Sequence, residues 1–157
     1  MDREAVERYA AGADVPTQAI AGLSKDDLLA TPVPGTWSIQ QIVFHLMDSD
    51  LIASDRMKRV AAEDHPTIIG YNESAFASTL GYDSIDAELA CELFRLNRNL
   101  TAAVLRQLPD ETFARTGHHN EDGVKSLADF IDSYIEHLDH HMKFIRQKRE
   151  LLGKPLN

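Results

Sequence analysis

Tyr134-Ile135-Glu136-His137-Leu138-Asp139-His140-His141-Met142-Lys143-Phe144-Ile145 carries three of the chain's seven histidines. The residues around it recur with a helical period. Leu127, Phe130, Ile131, Tyr134, Leu138, Met142 and Ile145 fall on one arc when each residue is advanced by about 100°. His141 projects into that arc, His137 lies on its edge, and His140 points away from its centre. His137 and His141 are i and i+4, so they share a helix face one turn apart. Two imidazoles at that spacing can grip one transition metal. A pair of core histidines would show the same spacing, but burying two imidazoles without partners is costly. Ser126, with Asp129 three residues on, resembles a capping box at the start of this helix. Gly153-Lys154-Pro155 stops it after about Leu152.

Upstream, Pro34-Gly35-Thr36-Trp37-Ser38-Ile39-Gln40-Gln41-Ile42-Val43-Phe44-His45-Leu46 marks a second helix start. Two prolines and a glycine in Thr31 to Thr36 forbid a continuing helix. Ser38 with Gln41 forms a capping box, and Trp37 sits where a hydrophobic staple residue would. Ile39, Ile42, Val43, Leu46, Ala53, Met57 and Val60 then carry the helical period to about Ala62. A further helix is expected from Ile85 to about Leu108, opened by Ser84 and ended by Pro109. Its stripe is Leu89, Leu93, Leu96, Leu100, Ala103, Val104 and Leu108. The first segment, Asp2 to Leu23, is interrupted by Gly12 and Pro16, with Asp14 placed to cap a helix that has Pro16 in its first turn. Ser24-Lys25-Asp26-Asp27 reads as another cap, leading into Leu28-Leu29.

The connections are long. Asp64 to Asp83 contains Pro66, Gly70 and Gly81, with a short helix at Asn72-Glu73-Ser74-Ala75-Phe76. Asp110 to Lys125 contains Gly117, His118, His119 and Gly123. No segment alternates with β-branched residues, so no strand is expected. The fold class that follows is all-α: one domain over residues 1–157, a four-helix bundle with long connections.

Bulk properties narrow the function. With 43% hydrophobic residues the chain can bury a core, and its formal charge of -9 disfavours nucleic acid, which is bound through Lys and Arg. No apolar run approaches the roughly 20 residues that cross a bilayer, so no membrane span is expected. A single cysteine, Cys91, allows no intrachain disulfide, and a core-packing role suits it. With no signal peptide visible, a cytoplasmic location is expected.

A bundle-core site needs ligands from facing helices. His45 is the only histidine in an apolar stretch outside the last helix. Three neutral imidazoles and an open position make the arrangement of a catalytic zinc. His65, His118 and His119 sit in connections, where histidines are usually solvated. Asp50 falls on the apolar face of the second helix and needs a partner there. It either accepts a hydrogen bond from a ligand imidazole or pairs with an arginine. A carboxylate-bridged di-iron site is excluded, because no Glu-x-x-His occurs. His-Glu-x-x-His, a Gly-rich phosphate loop and Gly-x-Ser-x-Gly are also missing.

The Trp37-Ser38 pair at a helix start, His45 seven residues after that serine, and the late His137-x-x-x-His141 together resemble the DinB/YfiT-like metalloenzymes. The resemblance covers nearly the whole chain, in length and helix order as well. It implies a bundle of that type holding one divalent transition metal, nickel or zinc, on His45, His137 and His141. It also implies a thiol S-transferase using a low-molecular-weight thiol and an electrophilic substrate, and a homodimer. The third helix and the Asp64 to Asp83 connection match no motif of the family. A metal-dependent hydrolase, and a metal-binding or stress-induced bundle without catalysis, are the alternatives.

Overall fold

Ser38 closes the start of the second long helix as its sequence requires. Its hydroxyl accepts from the Gln41 N–H at 3.1 Å, while Gln41 Oε1 accepts from the Ser38 N–H at 3.0 Å. The same reciprocal box forms at Ser24/Asp27 and Ser126/Asp129. Each such cap contributes about 1 kcal/mol. Asp14 occupies its N-cap position, but its side chain makes no cap hydrogen bond. The helix expected to open at Ser84 opens later, on Asp86, whose carboxylate accepts from the Glu88 N–H at 2.9 Å; Ser84 ends a 3-10 turn instead.

The computed structural model describes residues 2–156. Its helices are α1 (Asp2–Ala11), α2 (Val15–Ile20), α3 (Lys25–Leu29), α4 (Ile39–Ala62), α5 (Glu73–Thr79), α6 (Ala87–Gln107) and α7 (Leu127–Leu151). The four-helix bundle is made by α1, α4, α6 and α7, with α4 packed on α6 and α7, and α1 closing the far side against the same two. Among the described residues no helix is long and apolar enough to cross a membrane.

The expectation that strands are missing is corrected. Strand β1 (Thr67–Ile68) pairs in parallel with β2 (Thr116–His119), and β2 pairs antiparallel with β3 (Gly123–Ser126). Two to four residues are too few to show a period, and β2 contains a glycine and two histidines rather than β-branched residues. Gly117 is needed there: a Cβ would come within 3.0 Å of Val60 Cγ2 and of Pro66 O. The sheet thus ties both irregular connections to the end of α4.

The α6 stripe is the second correction. Leu89, Leu93, Leu96, Leu100 and Val104 lie between 38% and 61% exposed. The buried face is instead Ala87, Ala90, Cys91, Phe94, Arg98, Thr101, Ala102 and Leu105. Both faces have helical period, so periodicity cannot decide between them. The small residues on the buried face let neighbouring helices approach, and Arg98 commits that face inward.

Arg98 is 2% exposed and Asp50 1% exposed. Arg98 Nε donates to Asp50 Oδ1 at 2.9 Å. Asp50 also accepts from Tyr9 Oη at 3.1 Å and from Asn97 Nδ2 at 2.7 Å. The guanidinium donates to the carbonyls of Tyr134 and Tyr9 and lies 4.2 Å over the Tyr9 ring and 4.6 Å over that of Phe94. Gly12 leaves the room, since a Cβ there would meet Arg98 Nη1 at 2.4 Å. This polar layer separates two apolar clusters. One includes Leu46, Met47, Phe94, Leu138 and Met142; the other includes Tyr9, Ala53, Met57, Ala102 and Ile131. Asp50→Ala would strand a buried cation and should cost about 3–5 kcal/mol. Urea denaturation checks this, and the double variant Asp50→Ala/Arg98→Met should recover part of the loss.

Candidate metal centre

His45 comes from α4, two turns past the Ser38 cap, and is buried. His137 and His141 come from α7 and are half-buried. The spacing along α7 and the packing of α4 against it bring all three rings together. Ring centroids are 4.9 Å apart for His45–His137, 4.6 Å for His45–His141 and 4.6 Å for His137–His141. His45 Nε2 and His137 Nε2 are 2.9 Å apart. Among the described residues, this trio is the group of His, Cys, Asp and Glu side chains that could hold a metal, with its ligand atoms within 4.8 Å of one another. His65, His118 and His119 lie outside it. His140 is exposed and sets its ring edge-on to Phe144.

The electrostatics suit a cation that is not a proton. Burial lowers the His45 pKa to about 4. Burial lowers His137 and His141 to about 3, with the neighbouring histidines adding to it. All three are therefore neutral at pH 7, the state in which imidazole offers a lone pair to a metal. Among the described residues His141 Nδ1 is buried with no hydrogen-bond partner, and an orphaned polar atom of that kind calls for an ion or water. Three basic nitrogens facing one another cannot all be satisfied by each other's protons. The donor set fits one divalent transition metal.

Other groups complete the surroundings. Trp37 lies 5.0 Å from His45 and 6.4 Å from His141, centroid to centroid. Tyr71 Oη is 3.4 Å from His45 Nδ1 and 2.6 Å from Ser49 Oγ, so it can accept the imidazole N–H and fix Nε2 as the free nitrogen. Burial pushes the Tyr71 phenol up to about 12. Glu73 Oε2 lies 3.7 Å from His45 Nε2. The role assigned to Asp50 falls on the arginine alternative: its hydrogen bonds go to Tyr9, Asn97 and Arg98 and reach no histidine. Tyr71 stands where a carboxylate was expected. Neither Tyr71 nor Glu73 is legible in the sequence as part of the site, because nothing in a loop residue's neighbours links it to a helix residue some 26 positions earlier. Cys91 is buried away from the trio, with its thiol pushed up to about 12 by burial.

A helical bundle with three histidines converging from two of its helices is the frame of a metal-binding protein. The sequence profile of the DinB superfamily matches residues 9–145, and the chain belongs to that superfamily. A protein of Oceanobacillus iheyensis, named as a candidate metal-dependent hydrolase, is 29% identical over 126 residues, which is 80% of this chain and 73% of that one. YfiT of Bacillus subtilis, named in the same way, is 28% identical over 130 residues, covering 82% and 73%. The solved structure of YfiT, described as a probable metal-dependent hydrolase with an unusual four-helix bundle topology, superposes with a TM-score of 0.90. That superposition covers 97% of this chain and 87% of YfiT at 24% identity, and it establishes the fold.

Removing one imidazole should empty the centre. His137→Ala should lose stoichiometric divalent metal on elemental analysis. It should also change the pH dependence of the metal-free protein. The histidine pKa values are lower folded than unfolded, so the unfolded chain takes up protons first. Stability is then full above about pH 6.5 and falls as pH drops toward 4 to 3. Urea midpoints across that range should fall less steeply for His137→Ala than for the wild type.

Proposed function

We propose that the chain is a metal-dependent hydrolase in which His45, His137 and His141 hold the metal and Glu73 is the base. The observation that carries this is the Glu73 carboxylate 3.7 Å from His45 Nε2. It is an exposed acceptor beside the point where the three imidazoles converge. A metal held there by His45, His137 and His141 would supply a Lewis acid to polarise a carbonyl and acidify a water. Glu73 is then placed to accept the proton of an attacking water and return it to a leaving group. Its position at the first turn of α5, behind the Asn72 cap, holds the carboxylate by the positive end of that short helix. The names of the relatives support the same reading.

A thiol S-transferase draws on the same three imidazoles, and nickel or zinc suits either chemistry. The protonatable group at Glu73 would serve a thiol as it serves water. Metal-loaded protein is therefore assayed on esters and amides, and separately on electrophiles with a low-molecular-weight thiol. Hydrolysis without added thiol supports the first reading, and turnover only with thiol replaces it. Glu73→Gln should lower kcat by about 10²–10⁴ and leave metal stoichiometry unchanged. A kcat equal to wild type would remove Glu73 from the chemistry.

The exposed row on α6 supports a homodimer. Leu89, Leu93, Leu96, Leu100 and Val104 follow steps of four, three, four and four, close to the heptad seam of paired helices. Leu96→Glu should halve the mass seen by light scattering, with the far-UV spectrum unchanged.

A further inference from the structure

Beside the histidine trio lies a cavity of about 320 Å³ that His141 helps to line. Its walls include Val33, Trp37, Ile42 and Phe144, with His141 at one end and Lys148 at the other. Lys148 is 3% exposed, an unusual place for a lysine. Its ammonium donates to Thr36 Oγ1 at 2.6 Å. The Thr36 hydroxyl proton is committed to Val33 O at 2.8 Å. Among the described residues Lys148 makes no other hydrogen bond and has no carboxylate within 4.0 Å. Burial lowers its pKa, as expected of a cation with nothing to neutralise it. An ammonium has three donors, and two are left over.

We propose that this cavity is the binding site for the apolar body of an organic carboxylate, with the carboxylate on Lys148 and the reacting end at the histidine trio. Two observations point there independently: apolar walls that fit a hydrocarbon chain or ring, and an unneutralised buried cation that fits an anion. The separation sets the length. His141 and Lys148 are seven residues apart on one helix, about 10 Å of rise, which an extended chain of roughly eight carbons covers. Thr36 and Trp37 join the loop before α4 to this wall, so the same turn that places His45 shapes the cavity. The orientation of the ligand rests on reading the trio as the reacting centre; its binding does not.

Trp37 is the only tryptophan in the chain and lines the cavity, so its fluorescence reports occupancy. Metal-free protein is titrated with octanoate and with the neutral isostere octanamide. Octanoate should change Trp37 emission and bind about tenfold more tightly than octanamide, the worth of one charge-assisted hydrogen bond. Lys148→Met should bind the two ligands with similar affinity, and Lys148→Arg should keep the preference for the acid. Equal affinities in the wild type, a preference retained in Lys148→Met, or binding that leaves Trp37 emission unchanged would each overturn the proposal. If Lys148→Met does not fold, the wild-type comparison decides alone. Because these titrations need neither metal nor turnover, they can fail while hydrolysis stands, and succeed where hydrolysis is not found.

Discussion

The pairing of Asp50 with Arg98 is the constraint from which the bundle's arrangement follows. Neither charge can reach water, so each must meet the other. Tyr9 and the Tyr134 carbonyl then have to be brought up to satisfy what remains. One helix supplies the carboxylate, a second the guanidinium, and the other two supply Tyr9 and Tyr134. Sliding any of the four by one turn would leave a buried polar group without a partner. Apolar side chains on both sides of this layer could accommodate several registers; the ion pair accepts one. It also turns α6 so that a row of small residues faces in and a row of leucines faces out.

The histidine centre lies beside this layer. His45 precedes Asp50 on α4, and His137 follows Tyr134 on α7, so the contacts that fix the helix register also fix the two ligand-bearing faces against each other. The centre does not need to pull the bundle together. It is presented by a scaffold already held by other forces, and its imidazoles stay neutral because the scaffold buries them. That separation suits a site in which three nitrogens must keep their positions whether or not a cation is present.

Much of this was legible before the structure. Reciprocal caps at Ser38 and Ser126 marked helix starts because a cap is a local pattern of two residues. His45, His137 and His141 were legible because their neighbours are apolar at helical spacing, which shows which way they point. The exposed leucines of α6 were misread for the complementary reason. Two faces of that helix have a period, and only a contact with another element, Arg98 with Asp50, selects between them. The sheet escaped because its strands are shorter than any period. Asp50 was legible as a buried carboxylate, but not in its choice between imidazole and guanidinium, which depends on a residue 48 positions away. Glu73 and Tyr71 reach the centre through the path of a loop, which leaves no mark on sequence spacing.

The three imidazoles stand on the long helices α4 and α7, whereas Glu73 belongs to a seven-residue helix in the connection between α4 and α6. The imidazoles and the nearby carboxylate are therefore carried by separate parts of the chain. Rebuilding the connection would exchange that carboxylate, or remove it, without disturbing a single imidazole. A bundle organised this way is built as a socket: the long helices fix the three imidazoles, and the connection between them sets which other groups face them.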